Sequence, residues 1–334
     1  MTFESDIKMK KIVVTGGAGL IGIEVCKQLI GRGYKVCLFD LGEQIERVRS
    51  VLPKEVKLYC GSVLDCSGLR QAFKDCEIII HLAAILGVHR SEKYRLQCIE
   101  INIEGTKNVL DCAVQCGVKR IVFASSSEVY GEPFENPITE ETITQGKTLY
   151  AITKLAGEEL CKAYFQFYSI EYTILRYFNC FGPYQTAQFV ISKFIKNVMN
   201  EIPPKLYGDG KQIRSYTYVS DTASATILAA FSVKANSEII NIGNGDQPIS
   251  LIDLASLIIK LSGKQDELVP EILNDFNGTD RHEEREIYVR YCNAKKARDL
   301  LGWTPLVSLE EGLKRVYDVG ITFDGWVNVY DEEM

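Results

Sequence analysis

The sequence predicts an α/β fold: a doubly wound parallel sheet carrying a smaller C-terminal lobe. Three observations point there. Short apolar, β-branched runs alternate with segments of helical period through the first half of the chain. A glycine-rich turn joins the first run to the first helical segment. The alternation then stops near residue 179, where prolines and glycines break the rhythm. Apolar runs without polar alternation are strands buried on both faces, the pattern of parallel strands covered by helices.

The elements follow in order. Ile12–Thr15 is the first strand. After it, Val25, Cys26, Leu29 and Ile30 recur at helical spacing, and Gly31 with Gly33 ends that helix. Val36–Asp40, Val56–Tyr59, Ile78–Leu82, Ile121–Ala124 and Thr173–Leu175 are the next strands. Beyond them, Pro183, Pro203, Pro204, Gly208 and Gly210 interrupt the pattern, and helices are expected at roughly Leu251–Leu261 and Leu309–Tyr317. The expected division assigns residues 1–178 to the sheet domain, with parts of 213–245 returning to it. Residues 179–320 belong mainly to the lobe, and 321–334 form an acidic tail.

Composition narrows the function. The 334 residues suffice for one large domain or two modest ones, and 46% hydrophobic with 25% charged residues is ordinary globular usage. A net charge of −6 argues against nucleic acid as a partner while leaving room for a local basic pocket. No apolar run approaches the roughly 20 residues a membrane span needs. The N-terminal stretch has no apolar core of a secretion signal, so no membrane association is expected. The 11 cysteines are scattered and contain no C-x-x-C pair, and the three histidines, 81, 89 and 282, are dispersed. No metal site is expected, and reduced thiols in the cytoplasm are.

Thr15-Gly16-Gly17-Ala18-Gly19-Leu20-Ile21-Gly22 follows the first strand and opens the first helix. Gly17, Gly19 and Gly22 satisfy G-x-G-x-x-G, where glycine permits a tight turn, close approach to a pyrophosphate and close helix–strand packing. The helix N-terminus adds N–H donors and positive potential. Glycine turns also arise for steric reasons alone, but here the strand, the helix and a carboxylate complete the context. Asp40 ends the second strand about 20 residues on, placed to accept hydrogen bonds from adenosine ribose hydroxyls and to repel a 2′-phosphate. The ordinary alternative for Asp40 is a turn cap. The pattern predicts a Rossmann domain with NAD as cofactor.

Tyr150-Ala151-Ile152-Thr153-Lys154 places a phenol and an ammonium one helical turn apart on one face. A phenol with a pKa of about 10 is no base at neutral pH unless a positive charge stabilises its anion, which Lys154 and an oxidised nicotinamide can supply. Upstream, the fifth strand runs into Ser125-Ser126-Ser127-Glu128-Val129-Tyr130-Gly131, at the strand end where such folds bind ligands. A surface Tyr–Lys pair and a polar turn are the plain alternatives, and the second suffices for Ser125. The order glycine loop, serines, Tyr/Lys pair favours catalysis.

These residues resemble the extended short-chain dehydrogenase/reductase superfamily, in particular its NAD-dependent nucleotide-sugar epimerases, dehydratases and decarboxylases. The likeness runs from residue 11 to about 318. It includes T-G-G-A-G-L-I-G at 15–22, H-L-A-A at 81–84, N-I-E-G-T-K-N-V-L at 102–110, S-S-S-E-V-Y-G at 125–131 and Y-A-I-T-K at 150–154. Further on come R-Y-F-N-C-F-G-P at 176–183, Y-G-D-G-K-Q-I-R at 207–214, Y-V-S-D at 218–221 and L-G-W-T-P at 301–305.

The resemblance implies that the lobe binds substrate. It implies that Gly16, Gly19, Leu20, Ile21 and Gly22 cradle the cofactor, and that Leu82, Ala83 and Ala84 line it. Ser62 and Val63 then lie beside the adenine, Ser62 replacing the aspartate usual there. Ser126 would hydrogen-bond the C4 hydroxyl of the sugar, Tyr150 take its proton and Lys154 hold the nicotinamide ribose. The C4 hydride passes to NAD, leaving a 4-keto sugar. Gly87 would touch the substrate, while Asn179, Phe189, Val190 and Arg214 would grip the nucleotide diphosphate, helped by Arg281 or Arg285. The resemblance also implies a homodimer. The helix after Asn102 and the Tyr150 helix would pair with their symmetry mates, through Val109, Leu110, Ala113 and Val114 on the first and Leu155, Leu160 and Ala163 on the second, the plain alternative for these residues being core within the chain.

Glu128 bears on which reaction follows. Epimerases need only Ser126, Tyr150 and Lys154, whereas 4,6-dehydratases and decarboxylases carry a glutamate at this place that can take the C5 proton. Ile85-Leu86-Gly87-Val88 looks more like the epimerase loop than that of the decarboxylases. The resulting order sets dehydratase-like C5 chemistry through Glu128 first and 4-epimerisation second. Glucuronate decarboxylation, simple C4 oxidation and a non-catalytic dinucleotide sensor come lower. A solvated turn carboxylate is the plain alternative for Glu128.

Overall fold

The apolar runs of the first half become strands, all but Lys57–Cys60 at the sheet edge being covered on both faces. A computed structural model describes residues 10–186, 188–273 and 287–320, apart from the side chains of residues 88 and 89. Strands β1 (Lys11–Thr15), β2 (Lys35–Asp40), β3 (Lys57–Cys60), β4 (Ile78–His81), β5 (Arg120–Ser126) and β6 (Glu171–Tyr177) are joined at the edge by Glu238–Ile242. All pairs are parallel, and the spatial order is Glu238–Ile242, β6, β5, β4, β1, β2, β3. The order reverses between β1 and β4, which opens a crevice beyond their carboxyl ends. This is the doubly wound fold predicted from the sequence.

Two apolar layers sandwich the sheet. On one face Ile12, Val14 and Ile80 pack with Val25 and Leu29 of the helix Leu20–Gly31, and with Ala223 and Ile227 of the helix Val219–Phe231. On the other, Val13, Ile79, Ile121 and Phe123 meet Leu69, Val109, Leu110, Ala113 and Cys161. That second layer corrects one expectation. Val109, Leu110 and Ala113 are fully buried within the chain and fill its own core, so they cannot form a contact between two chains. Val114 and Leu160 are also packed against this layer, and Leu155 lies against a small cluster around Tyr130.

The C-terminal lobe has its own core, built from Phe194, Ile195, Leu254, Ile258 and Leu313. Its helices Leu251–Leu261 and Leu309–Val319 lie where the periodicity places them. Its strands are two or three residues long, such as Ile213–Arg214 between Ile249–Ser250 and Val289–Arg290. Segments that short carry no readable alternation. Among the described residues no helix is long and apolar enough to cross a membrane. All eleven cysteines are free thiols.

Candidate active site

One cavity of about 890 Å³ lies over the carboxyl ends of the strands, between sheet and lobe. Every site residue predicted from the sequence that falls within the described residues borders it. Arg281 and Arg285 lie outside the described residues.

The cofactor end is built by close approach. Gly16 has φ +69, and a Cβ there would lie 2.5 Å from the backbone nitrogen of Ala83. A Cβ on Gly22 would lie 2.6 Å from the carbonyl oxygen of Gly16, so the first helix starts directly on the turn. Gly17 of the motif serves packing instead, since its Cβ would collide with Leu38. Gly19 caps that helix in extended backbone with no side-chain hydrogen bond, which leaves the terminal N–H groups facing the crevice. This is a cradle that any side chain would fill, and it suits a pyrophosphate.

Asp40 closes β2. Its Oδ2 accepts from the Ala18 N–H at 2.9 Å and its Oδ1 from the Leu41 N–H at 2.8 Å. Burial lifts its carboxyl from 3.8 to about 6, against the pull of those two N–H groups and of Arg47. The remaining oxygen lone pairs are free for ribose hydroxyls, which bind the ionised form best. Cofactor binding is therefore expected to hold above pH 6 and weaken below it, by up to about ten-fold per pH unit. Calorimetric dissociation constants for NAD at pH 5 and 8 check this. Ser62 spends its hydroxyl on the Leu64 N–H at 3.2 Å, a local turn.

The loop after β4 is held in place by Asn102 and His81, residues of recognised motifs to which sequence alone assigned no role. Asn102 accepts from the Ile85 N–H at 2.8 Å and donates to the Ile85 carbonyl and to Thr153 Oγ1, both at 3.0 Å. That locks the loop bearing Leu82, Ala83 and Ala84 onto the Tyr150 helix. Buried His81 bridges Thr15 at 2.7 Å and Thr106 at 3.1 Å. Burial and the nearby Lys154 push its imidazole down to about 3, so it stays neutral and structural.

The reacting end gathers on β5 and the helix Leu149–Tyr168. Thr148 caps that helix by accepting from the Ala151 N–H at 3.2 Å, which sets Tyr150 in the first turn facing the cavity. Lys154 lies one turn on, 4% exposed, its Nζ donating to the Ala124 carbonyl at 2.8 Å and 5.7 Å from the centre of the Tyr150 ring. Burial lowers its ammonium to about 8, opposed by Cys98, Cys161 and Glu158. Burial raises the Tyr150 phenol and the charge of Glu128 adds to this, while Ser126 pulls the other way. The protein alone thus holds the phenol protonated.

Behind these groups runs a buried network. Ser125 Oγ donates to Glu158 at 2.5 Å, Glu158 pairs with Arg176 at 2.7 Å, and Arg176 reaches the Tyr130 hydroxyl at 2.9 Å. Tyr130 in turn donates to Asn241 on the edge strand at 2.7 Å. It fixes the end of β5, and Ser125 takes part in it through its hydroxyl rather than as a plain polar turn.

Glu128 is not a free carboxylate. Its Oε1 accepts from Arg290 Nη2 at 2.6 Å. Burial favours its neutral form, but Arg290 and the charge of Arg214 outweigh that and hold the carboxyl below its ordinary value. On the lobe side, Asn179, Phe189 and Val190 border the cavity, and Arg214 is braced by the carbonyls of Ile287 at 2.6 Å and Ile213 at 2.9 Å. Among the described residues no group of His, Cys, Asp and Glu is placed to hold a metal ion.

Comparison with known proteins agrees with this geometry. The sequence model of the NAD dependent epimerase/dehydratase family matches residues 12–243. A UDP-N-acetyl-alpha-D-glucosaminuronate decarboxylase of Bacillus cytotoxicus is 35% identical over 91% of this chain and 96% of its own. A putative UDP-glucose 4-epimerase of Methanocaldococcus jannaschii is likewise 35% identical, over 91% and 96%. The crystal structure of a UDP-glucuronic acid 4-epimerase from Bacillus cereus, in complex with UDP-glucuronic acid and NAD, superposes with a TM-score of 0.83. It is 31% identical and covers 92% of this chain and 98% of that one. A family match across the whole sheet, near full-length relatives and a shared three-dimensional fold converge: the chain belongs to the NAD dependent epimerase/dehydratase family and is an NAD-dependent enzyme acting on nucleotide sugars.

Proposed function

We propose that the enzyme inverts C4 of a uridine-diphosphate sugar. One observation sets epimerisation ahead of dehydration: the ion pair between Glu128 and Arg290. A C5 base has to be a free carboxylate of raised proton affinity, and Glu128 is engaged and held acidic. This reverses the order drawn from sequence, in which Glu128 put dehydration ahead. Epimerisation needs only groups that are available here.

When bound, NAD supplies the hydride acceptor at C4 and a positive charge beside the phenol. Lys154 and the cofactor's positive charge would hold Tyr150 as a phenolate; Ser126 orients the C4 hydroxyl, Tyr150 takes its proton and becomes a phenol, and Lys154 also holds the ribose. Asn179, Phe189, Val190 and Arg214 retain the nucleotide while the 4-keto sugar turns its other face to the cofactor, where C4 would regain the hydride as Tyr150 returns the proton. Uridine is the base in the B. cereus complex, which supports it here. Cofactor is held by the sheet domain, residues 1–178 with the returning stretch, and the nucleotide by the lobe.

Glu128→Gln tests the reading. The variant is expected to keep turnover within about three-fold of wild type. Arrested turnover with a 4-keto sugar accumulating on the enzyme would contradict it.

The assembly we propose is a homodimer through the Tyr150 helix and the segment before Asn102, with Ile152 and Ile99, 53% and 40% exposed, in place of the buried Val109, Leu110 and Ala113. The free cysteines support a reducing, cytoplasmic setting.

A further inference from the structure

Cys66 opens the helix Cys66–Phe73, whose cap Asp65 accepts from the Ser67 N–H at 2.9 Å. That helix lies beside Gly105–Gln115, and Leu69 and Phe73 share an apolar layer with Val109 and Ala113. Two thiols meet across the seam. Cys112 Sγ donates to the Cys66 carbonyl at 3.7 Å, and the two side chains are hydrogen-bond neighbours. One turn further on, Cys116 Sγ donates to the Arg70 carbonyl at 3.9 Å, so the helices run in register and Cys116 lies a turn away from Cys66. Cys66 is half-buried, while Cys112 is 1% exposed behind it. Burial and the neighbouring Cys66 raise the Cys112 thiol, against the pull of Arg70. A small apolar filler accounts for Cys112, but not for a second, half-exposed sulfur set against it. An accessible thiol poised next to a resolving one is the arrangement of an oxidisable pair.

The pair abuts the cofactor end of the cavity. Ser62 and Val63 border that cavity, and their turn, closed by the Asp65 N–H donating to the Ser62 carbonyl at 2.9 Å, leads straight into Cys66. Asn108 Nδ2 donates to the Val63 carbonyl at 3.3 Å, and a Cβ on Gly105 would lie 2.5 Å from Val63 Cγ2. The turn is wedged against the same helix that carries Cys112. A sulfur–sulfur bond of about 2.05 Å is much shorter than a thiol contact. Closing it draws the start of Cys66–Phe73 toward Gly105–Gln115, and the close fit at Val63 leaves no slack to absorb the movement.

We propose that Cys66 and Cys112 form a reversible oxidation site for hydrogen peroxide, whose closure to a disulfide displaces the Ser62-Val63 turn and weakens NAD binding. The Cys66 sulfur attacks the O–O bond, giving a sulfenic acid and one water. Cys112 then attacks that sulfur, and its proton leaves with the displaced hydroxide as a second water. Two thiols lose two electrons and two protons to one disulfide while the peroxide is reduced to water, and a dithiol reverses the step.

The test treats reduced, NAD-loaded protein with hydrogen peroxide, maps the cross-linked peptides by mass spectrometry, measures the NAD dissociation constant, and then adds dithiothreitol. A Cys66–Cys112 disulfide is expected, with NAD bound at least about five-fold more weakly and its affinity restored by the dithiol. By reciprocity, NAD should disfavour the disulfide by the same factor in a glutathione redox buffer. Cys66→Ser and Cys112→Ala should each abolish the cross-link and the affinity change, and Cys116→Ser should abolish neither. Wild type decides the matter whether or not a variant folds. No cross-link in it, or one through Cys116 or Cys60 in place of this pair, would overturn the site. A Cys66–Cys112 disulfide with NAD affinity unchanged would overturn the coupling to the cofactor.

Discussion

Tyr150→Phe is expected to cut turnover by roughly 10²–10⁴-fold, the span that one positioned acid–base group contributes. The substitution removes a single oxygen and keeps the ring, so the helix start capped by Thr148 and the packing of that first turn stay as they are. NAD retained by the purified protein should be unchanged, because the cradle at Gly16–Gly22 and Asp40 does not involve the phenol. Steady-state rates on a nucleotide sugar, together with the dinucleotide released on denaturation, give both readouts. A variant with wild-type turnover would remove Tyr150 from the chemistry.

Lys154→Met should do more. It deletes the cation that stabilises the phenolate and the group assigned to the nicotinamide ribose, so turnover and NAD retention fall together. A loss of at least about 10²-fold in rate is expected, with NAD bound roughly ten-fold more weakly. Folding should survive. Methionine has similar length, and burial already disfavours this ammonium, lowering it to about 8. Replacing a buried charge by an apolar side chain of like volume is often neutral for stability. Thermal unfolding in the absence of cofactor separates the two effects. A collapse of the melting temperature would make Lys154 a structural residue first.

What sequence could disclose here was local. The strands β1, β2, β4, β5 and β6 were visible because each holds an unbroken apolar or β-branched run, β3 although Lys57 interrupts it, and the glycine turn because its function depends on adjacent residues. Tyr150 and Lys154 share a helix face, which spacing alone reveals. Glu238–Ile242 was missed as a strand: it lies beyond the prolines and glycines that break the alternation, and it joins the sheet only by pairing with β6. The apolar spacing of Val109, Leu110 and Ala113 showed that a helix face is covered but not by what, and the chain's own sheet covers it.

The partners of site residues were the least legible. Asn102 lies 51 residues from Thr153, Glu158 lies 18 from Arg176, and Glu128 lies 162 from Arg290. Each pair exists only in the folded chain. Arg281 and Arg285, the expected basic helpers, lie outside the described residues, while Arg290, which the sequence did not single out, borders the cavity. With it the meaning of Glu128 changed from a proton acceptor to one half of an ion pair.

The central claim is that hydride leaves C4 and returns to it while C5 is left alone. The most direct measurement is turnover of a nucleotide sugar in deuterium oxide, followed by mass and NMR analysis of the product. The account predicts a product of unchanged mass, inverted at C4, with no deuterium at C5. Deuterium at C5, together with loss of water or of carbon dioxide, would contradict it.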